Sequence, residues 1–382
     1  MIYFDNAATT QMAPEVAQVM SQYLTDNYAN PSGITKEAQA IRRGINGVRQ
    51  TLAQAIGVED PFTCYFTGGG TEANNWAIKS VAETMRARGK GNHLISTRME
   101  HHSVLHPLEE LVSQGFTVSY IAPDKEGRIQ VADIEAAITS ETILISVMFV
   151  NNELGTIQPV AEIGALTKAQ GILFHCDGVQ ALGHLPIDVV AFNIDLLTVS
   201  AHKLHGPKGV GALYAKESID LRPFIHGGAQ ERNRRAGTEN VAGIMAFGEA
   251  IQLAMGKMDT EYERLKNLTE PAIEQLLTQI KGTYLNGHKA HRLPGIFNLA
   301  FEGIEGEDLI ILLDRAGIQA ASGAACMSGS LEASHVLEAI GKEHLAHSSL
   351  RISLGRYNTA AEVSQLVAVL PELIKTLRNE NG

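Results

Sequence analysis

Lys203 stands in Ser200-Ala-His-Lys-Leu-His205, directly after the apolar run 194–200 and shortly before another at 210–215. An ammonium group between two buried strands is costly to desolvate, so its amine is expected to be chemically engaged. Desolvation beside His202 lowers a lysine's pKa, which suits an amine that condenses with a carbonyl. Asp177 closes the preceding apolar run, 172–177. A carboxylate at a strand end ordinarily caps a turn. In a parallel sheet, however, neighbouring strands end at one crevice, so Asp177 and Lys203 are expected to meet there. The third feature is Gly68-Gly-Gly-Thr71, where the apolar run 64–67 gives way to a helical pattern. A helix N-terminus offers unpaired N–H groups and positive dipole character, so Gly70 and Thr71 are candidates to hold a phosphate. Gly68, Gly70 and Ala73 also spell a degenerate dinucleotide pattern, but residues 88–93 supply no acid for a ribose.

A lysine, a carboxylate and a phosphate cradle together fit pyridoxal phosphate, which takes a Schiff-base lysine, an acid at its ring nitrogen and a dipole-rich phosphate site. A carboxylate about 4 Å from a cation contributes roughly 4 kcal/mol at an effective dielectric near 20. That is about three pK units in favour of a protonated ring nitrogen.

The elements that would position these groups are legible as an alternation. Apolar runs at 64–67, 93–96, 117–121, 142–150 and 172–177 are separated by helical patterns at 71–88, 103–114, 131–138 and 159–170. Such spacing predicts βαβ units and an α/β fold, a mostly parallel central sheet flanked by helices. After residue 258 the texture changes to a long charged helical stretch, short strands at 295–301 and 350–354, and further helices. The expected division is a large cofactor-binding domain, 15–258, and a smaller α+β domain made of 1–14 and 259–382.

The 382 residues carry 31 basic and 42 acidic side chains, net −11. That balance argues against direct nucleic-acid binding. The three cysteines, Cys64, Cys176 and Cys326, cannot build a disulfide framework, and neither a signal peptide nor an 18-residue apolar run is seen. A cytoplasmic protein without membrane contact is expected. Cys64 and Cys176 lie in strand runs and read as structural. Cys326 lies among Ala, Gly and Ser, a composition that contributes little burial and suits a mobile loop rather than a core strand. His101, His102 and His106 do not have the spacing of a zinc-binding helical pair, so no metal is expected.

Ordered blocks along almost the whole chain resemble the cysteine desulfurases of the aminotransferase class V family, fold type I pyridoxal-phosphate enzymes. They include 3-YFDNAATT-10, 30-NPS-32, 71-TEANN-75, 100-EHHSV-104, 151-NNELGTIQP-159, 200-SAHKLHGPKGVG-211, 234-RRAGTENV-241, 322-SGAACMSGS-330 and 350-LRISLGRYNT-359. The resemblance implies that Lys203 holds the cofactor and Asp177 pairs with its ring nitrogen. His101 would stack on the ring and shuttle protons, while Asn152 and Gln180 would bond its phenolic side. Gly70, Thr71, Ser200 and His202 would hold the phosphate, joined by Thr238 from the other subunit of a homodimer. Arg351 and Asn30 would hold the substrate carboxylate, for which a planar guanidinium is suited. Cys326 would take sulfur from L-cysteine as a persulfide and pass it to an acceptor protein, an iron–sulfur scaffold or a tRNA-thiolating enzyme, leaving L-alanine. A selenocysteine lyase or another class V enzyme is the alternative. Ala324-Ala325 and the form TGGGTE depart from wording common in such relatives but remove no catalytic group. His205 reads as a turn residue, and Arg234 and Arg235 as solvated charge or candidates for dimer contacts.

Overall fold

The computed structural model describes residues 1–322 and 333–380. A short first strand, β1 (Ile2–Tyr3), precedes a seven-stranded sheet built from β2 (Cys64–Thr67), β3 (His93–Thr97), β4 (Thr117–Ile121), β5 (Thr142–Ser146), β6 (Leu173–Asp177), β7 (Leu196–Ser200) and β8 (Gly211–Ala215). Their order is β2-β8-β7-β6-β5-β3-β4. Every residue of β3, β5, β7 and β8 is buried, which is why these strands read as continuous apolar runs rather than alternating ones.

The sheet is parallel except at β8, which runs antiparallel to both β7 and β2. The reason is the length of the connection. Residues 201–210, with a single 3-10 turn at Ala201–Lys203, are too few for a parallel crossover, which takes roughly a dozen or more. The run 142–150 is regular strand only to Ser146. Beyond it Val147 and Phe149 still donate to the carbonyls of His175 and Asp177, so the chain continues beside β6 and over the strand ends.

The C-terminal part contributes β9 (Thr283–Asn286), β10 (Ile296–Phe301), β11 (Ile318–Gln319), β12 (Ala321–Ser322) and β13 (Ser349–Ser353). Four of these form an antiparallel sheet ordered β12-β13-β10-β9, while β11 pairs parallel with β1. Helices Met258–Gln279 and Ala360–Glu380 pack together over this sheet. Its apolar face forms a cluster of its own in which Phe4 is buried with Phe301, Leu350 and Leu370. The chain start is thereby anchored among residues more than two hundred and fifty positions away.

From that anchor, residues 5–13 cross back over the ends of β6 and β7. Asn6 N–H donates to the Ser353 carbonyl, Thr10 N–H to His202 and Ala13 N–H to His205. This strap joins the two sheets at the place where both bear charged residues. No helix among the described residues is long and apolar enough to cross a membrane.

Candidate active site

A cavity of about 380 Å³ opens at the carboxyl ends of β6 and β7. Its walls include Gly70, Thr71, His101, Asn152, Asp177, Gln180, Ser200, His202, Lys203 and Arg351. Ten of the residues expected from the sequence are therefore drawn together from positions 70 to 351. Asp177 and Thr198 are register partners on adjacent parallel strands, and β7 ends three residues before Lys203, so both groups reach one crevice.

Asp177 is fixed on two sides. Its Oδ1 accepts the Val179 N–H at 3.0 Å, and its Oδ2 accepts from Asn74 Nδ2 at 2.7 Å. Lys203 Nζ donates to the carbonyls of Ala7 and Ala8 at 2.5 and 2.7 Å, and Gln180 Nε2 donates to the same Ala7 carbonyl at 2.9 Å. The N-terminal strap thus supplies two acceptors for the lysine.

The helix Gly70–Ala87 begins at the cavity after Gly69, whose φ of 148° suits only a residue without a side chain. Helical geometry leaves the first N–H groups, at Gly70 and Thr71, without intrahelical acceptors, and they share their wall with Ser200 and His202. A second, more open hollow continues past these four residues toward Lys208 and Phe224. Burial, helped by Lys203 and Lys208, pushes His202 down to about 4, so it is neutral at pH 7 and offers an uncharged N–H. Its Nδ1 lies 3.2 Å from Thr9 Oγ1. The acidic side chain of the first turn, Glu72, does not oppose an anion here. Its carboxylate accepts the Gly68 N–H at 2.7 Å and pairs with Arg235 at 2.8 Å. Arg235, read as solvated charge or a candidate for dimer contacts, pairs with Glu72 of its own chain.

His101 caps the helix His102–Ser113, its Nδ1 accepting from the Ser103 N–H at 3.0 Å. Ser103 Oγ lies 2.8 Å from that nitrogen and itself accepts from Asn74 Nδ2 at 2.8 Å. With both donors directed at Nδ1, the ring proton sits on Nε2. Desolvation holds His101 below its ordinary pKa despite the nearby Asp177, although the cavity wets its ring.

Arg351 comes from β13 and is almost fully covered, and it reaches Asp5 Oδ1 at 2.7 Å and the Asn152 carbonyl at 3.2 Å. Of the three other expected residues, two are described and lie elsewhere. Asn30 is exposed and caps the Ser32 N–H, and Thr238 is exposed beyond Arg235; neither borders the cavity within one chain. Cys326 lies outside the described residues. Cys64 and Cys176 are buried, and burial pushes the Cys64 thiol up to about 12 and Cys176 well above its usual value, so neither is a nucleophile. His205 is a turn residue in the left-handed region at φ 62°, and its Nδ1 lies 2.8 Å from the Gln11 carbonyl of the strap. Among the described residues no group of three or more His, Cys, Asp or Glu side chains is arranged to hold a metal.

Asp5, the Ala7 and Ala8 carbonyls, Asn74 and Ser103 were not singled out as site residues from the sequence. Asn74 had a usable sign, since it lies one helical turn after Gly70 and shares its face. Asp5 had none, because its partner is 346 residues away.

Comparison with known proteins agrees with this geometry. The family described as aminotransferase class V matches residues 2–366. A relative named cysteine desulfurase IscS from Methanosarcina thermophila is 49% identical over 379 residues, covering 99% of this chain and 93% of that one. Another of the same name from Clostridium botulinum is 48% identical over 380 residues, with coverage of 99% and 95%. Among solved structures, a NifS-like protein superposes with a TM-score of 0.92 at 33% identity, covering 98% and 100% of the two chains. A structure described as SspA in complex with cysteine gives a TM-score of 0.80 at 35% identity, covering 94% and 100%.

Proposed function

The chain belongs to the aminotransferase class V family, and from that premise we propose that it is a pyridoxal-phosphate-dependent cysteine desulfurase converting L-cysteine to L-alanine. The observation that carries the reading is the meeting of Lys203, Asp177 and the Gly70–Thr71 helix start in one cavity. The names of its relatives favour this activity over a selenocysteine lyase.

The residues fit the cofactor by chemical type. Gly70 and Thr71 N–H groups, the Ser200 hydroxyl and neutral His202 form a donor set for a phosphate. Asp177, held by Asn74 and Val179, is an anion for the ring nitrogen, while Asn152 and Gln180 line the wall near Lys203. Bound there, pyridoxal phosphate withdraws electrons from the substrate Cα. Lys203, once its amine is free, takes the Cα proton, and the Ala7 and Ala8 carbonyls accept N–H bonds from its ammonium form. Arg351 holds the substrate carboxylate, and His101 carries a mobile proton on Nε2. The Cys326 thiolate attacks the substrate sulfur, so an S–S bond forms as the Cβ–S bond breaks.

The reading extends to a cytoplasmic homodimer in which Thr238 reaches the partner's cavity, while Asn30, expected beside Arg351 at the substrate carboxylate, stands apart from the cavity of its own chain. Both are exposed on this chain and away from its own cavity. It also divides the chain into a cofactor-binding unit, 15–258, and a smaller unit of 1–14 and 259–382, supported by the separate core that unites Phe4 with Leu350. Sulfur then passes to an acceptor protein, an iron–sulfur scaffold or a tRNA-thiolating enzyme.

The test is direct. Purified protein should reduce irreversibly with borohydride at Lys203 and release alanine from L-cysteine. Cys326→Ala should keep the cofactor and lose the persulfide, and Lys203→Ala should lose the imine. Holoenzyme that releases no alanine from L-cysteine would overturn the assignment.

A further inference from the structure

Four charged carboxylate, ammonium or guanidinium groups line the described part of the cavity: Asp5, Asp177, Lys203 and Arg351. The proposed reaction uses three of them and leaves Asp5 unassigned. Its position is built by the fold. Asp5 forms a parallel bridge with Ser353, which lies two residues after Arg351 on β13. Residues two apart on a strand share a face, so the bridge sets the Asp5 carboxylate beside the guanidinium. The contact is 2.7 Å, with Arg351 3% exposed and Asp5 23%. Neighbouring bonds hold this register, with Asn6 Nδ2 donating to Ser353 O at 2.9 Å and Ala7 N–H to Ser353 Oγ at 2.8 Å.

We propose that Asp5 is a specificity-determining residue, a fixed internal anion that competes for Arg351 and restricts the site to amino acids with one carboxylate and an uncharged side chain. The inference rests on Arg351 being the carboxylate anchor, as proposed above. A substrate carboxylate approaching Arg351 must do so beside a negative charge that is already paired with it. One carboxylate still gains, because the guanidinium can bond more than one oxygen and stands closer to it than Asp5's charge does once the two share Arg351. A second anionic group in a cavity this small meets the repulsion of Asp5 with no second guanidinium among the described wall residues. Asp5 also keeps the buried guanidinium neutralised and oriented before substrate arrives, together with the Asn152 carbonyl.

Asp5→Asn separates charge from geometry, since the amide oxygen can still accept from Arg351 Nη2. The holoenzyme of this variant is titrated with L-alanine and with L-aspartate, and KM and kcat for L-cysteine are measured. L-Alanine affinity is expected to rise and KM for L-cysteine to fall by roughly threefold, with kcat within about twofold, the scale of one like-charge contact in a half-wet cavity. L-Aspartate affinity should rise more, by about tenfold. Equal changes for the two ligands, or weaker binding of both with cofactor content intact, would overturn the proposal. If the amide variant does not fold, Asp5→Ser tests the same charge. Arg351→Ala provides the separate control: unaltered L-alanine binding in that variant would remove the underlying assignment of Arg351 rather than the role of Asp5.

Discussion

Asn74 uses one amide nitrogen to hold both Asp177 Oδ2, at 2.7 Å, and Ser103 Oγ, at 2.8 Å. That nitrogen has two hydrogens, and both are spent. Ser103 Oγ, having accepted one, is left to donate to His101 Nδ1. A single buried amide therefore sets the orientation of the acid and, through a hydroxyl, the tautomer of the histidine across the cavity.

Replacing Asn74 by Ala removes two buried hydrogen bonds, one of them to a charge, at a cost of about 1–3 kcal/mol each. Weaker cofactor retention is expected, together with a shift in the pH dependence of activity as His101 loses its preferred tautomer. Asn74→Asp should be worse, because it sets a second carboxylate against Asp177. Cofactor dissociation followed by absorbance, alongside a pH profile, checks both. Unchanged retention in Asn74→Ala would show that Val179 alone suffices to hold Asp177.

Gly69 has open space where a Cβ would stand, yet its φ of 148° is strained for any L side chain. Gly69→Ala is expected to cost about 1–3 kcal/mol locally or to rotate the first turn of the phosphate helix. Pyridoxal phosphate affinity should fall by about tenfold or more while affinity for unphosphorylated pyridoxal changes little. An equal loss for both would place the defect outside the phosphate cradle.

His175 is fully buried in β6 between Ser146 Oγ at 2.8 Å and Thr198 Oγ1 at 3.1 Å, and burial lowers it from 6.5 to about 4. The unfolded chain binds this proton first as pH falls. Stability is therefore untouched above pH 6.5 and declines between 6.5 and about 4, by about 3 kcal/mol from this residue. Glu100, raised to about 8 by burial, acts in the opposite sense: its folded form keeps a proton, so its contribution is lost as pH rises from 4.5 toward 8. His175→Asn should flatten the acid limb specifically. Urea unfolding at pH 7.5 and pH 5 measures it, and an unchanged difference between the two would refute the burial argument.

Much of this architecture was readable in the one-dimensional pattern because short-range physics dictates it. Continuous apolar runs spaced by amphipathic helices specify a parallel sheet, since only strands covered on both faces read that way. From the parallel sheet alone it follows that Asp177 and Lys203 end at one crevice, and the Gly-rich turn before an amphipathic helix brings Gly70 and Thr71 to the same cavity. The antiparallel direction of β8 was not read from the sequence, although the short 201–210 connection accounts for it.

What the pattern did not contain is how distant segments meet. Asp5 and Arg351 touch only because Phe4 is buried in the C-terminal core and Asp5 bridges Ser353. Nothing about an aspartate near a chain start foretells that. Lys203 finds the Ala7 and Ala8 carbonyls because this anchoring lays the strap across β6 and β7. Local propensity and periodicity act over a few residues, whereas these contacts depend on which surfaces are buried together, and that is decided only when the whole core forms.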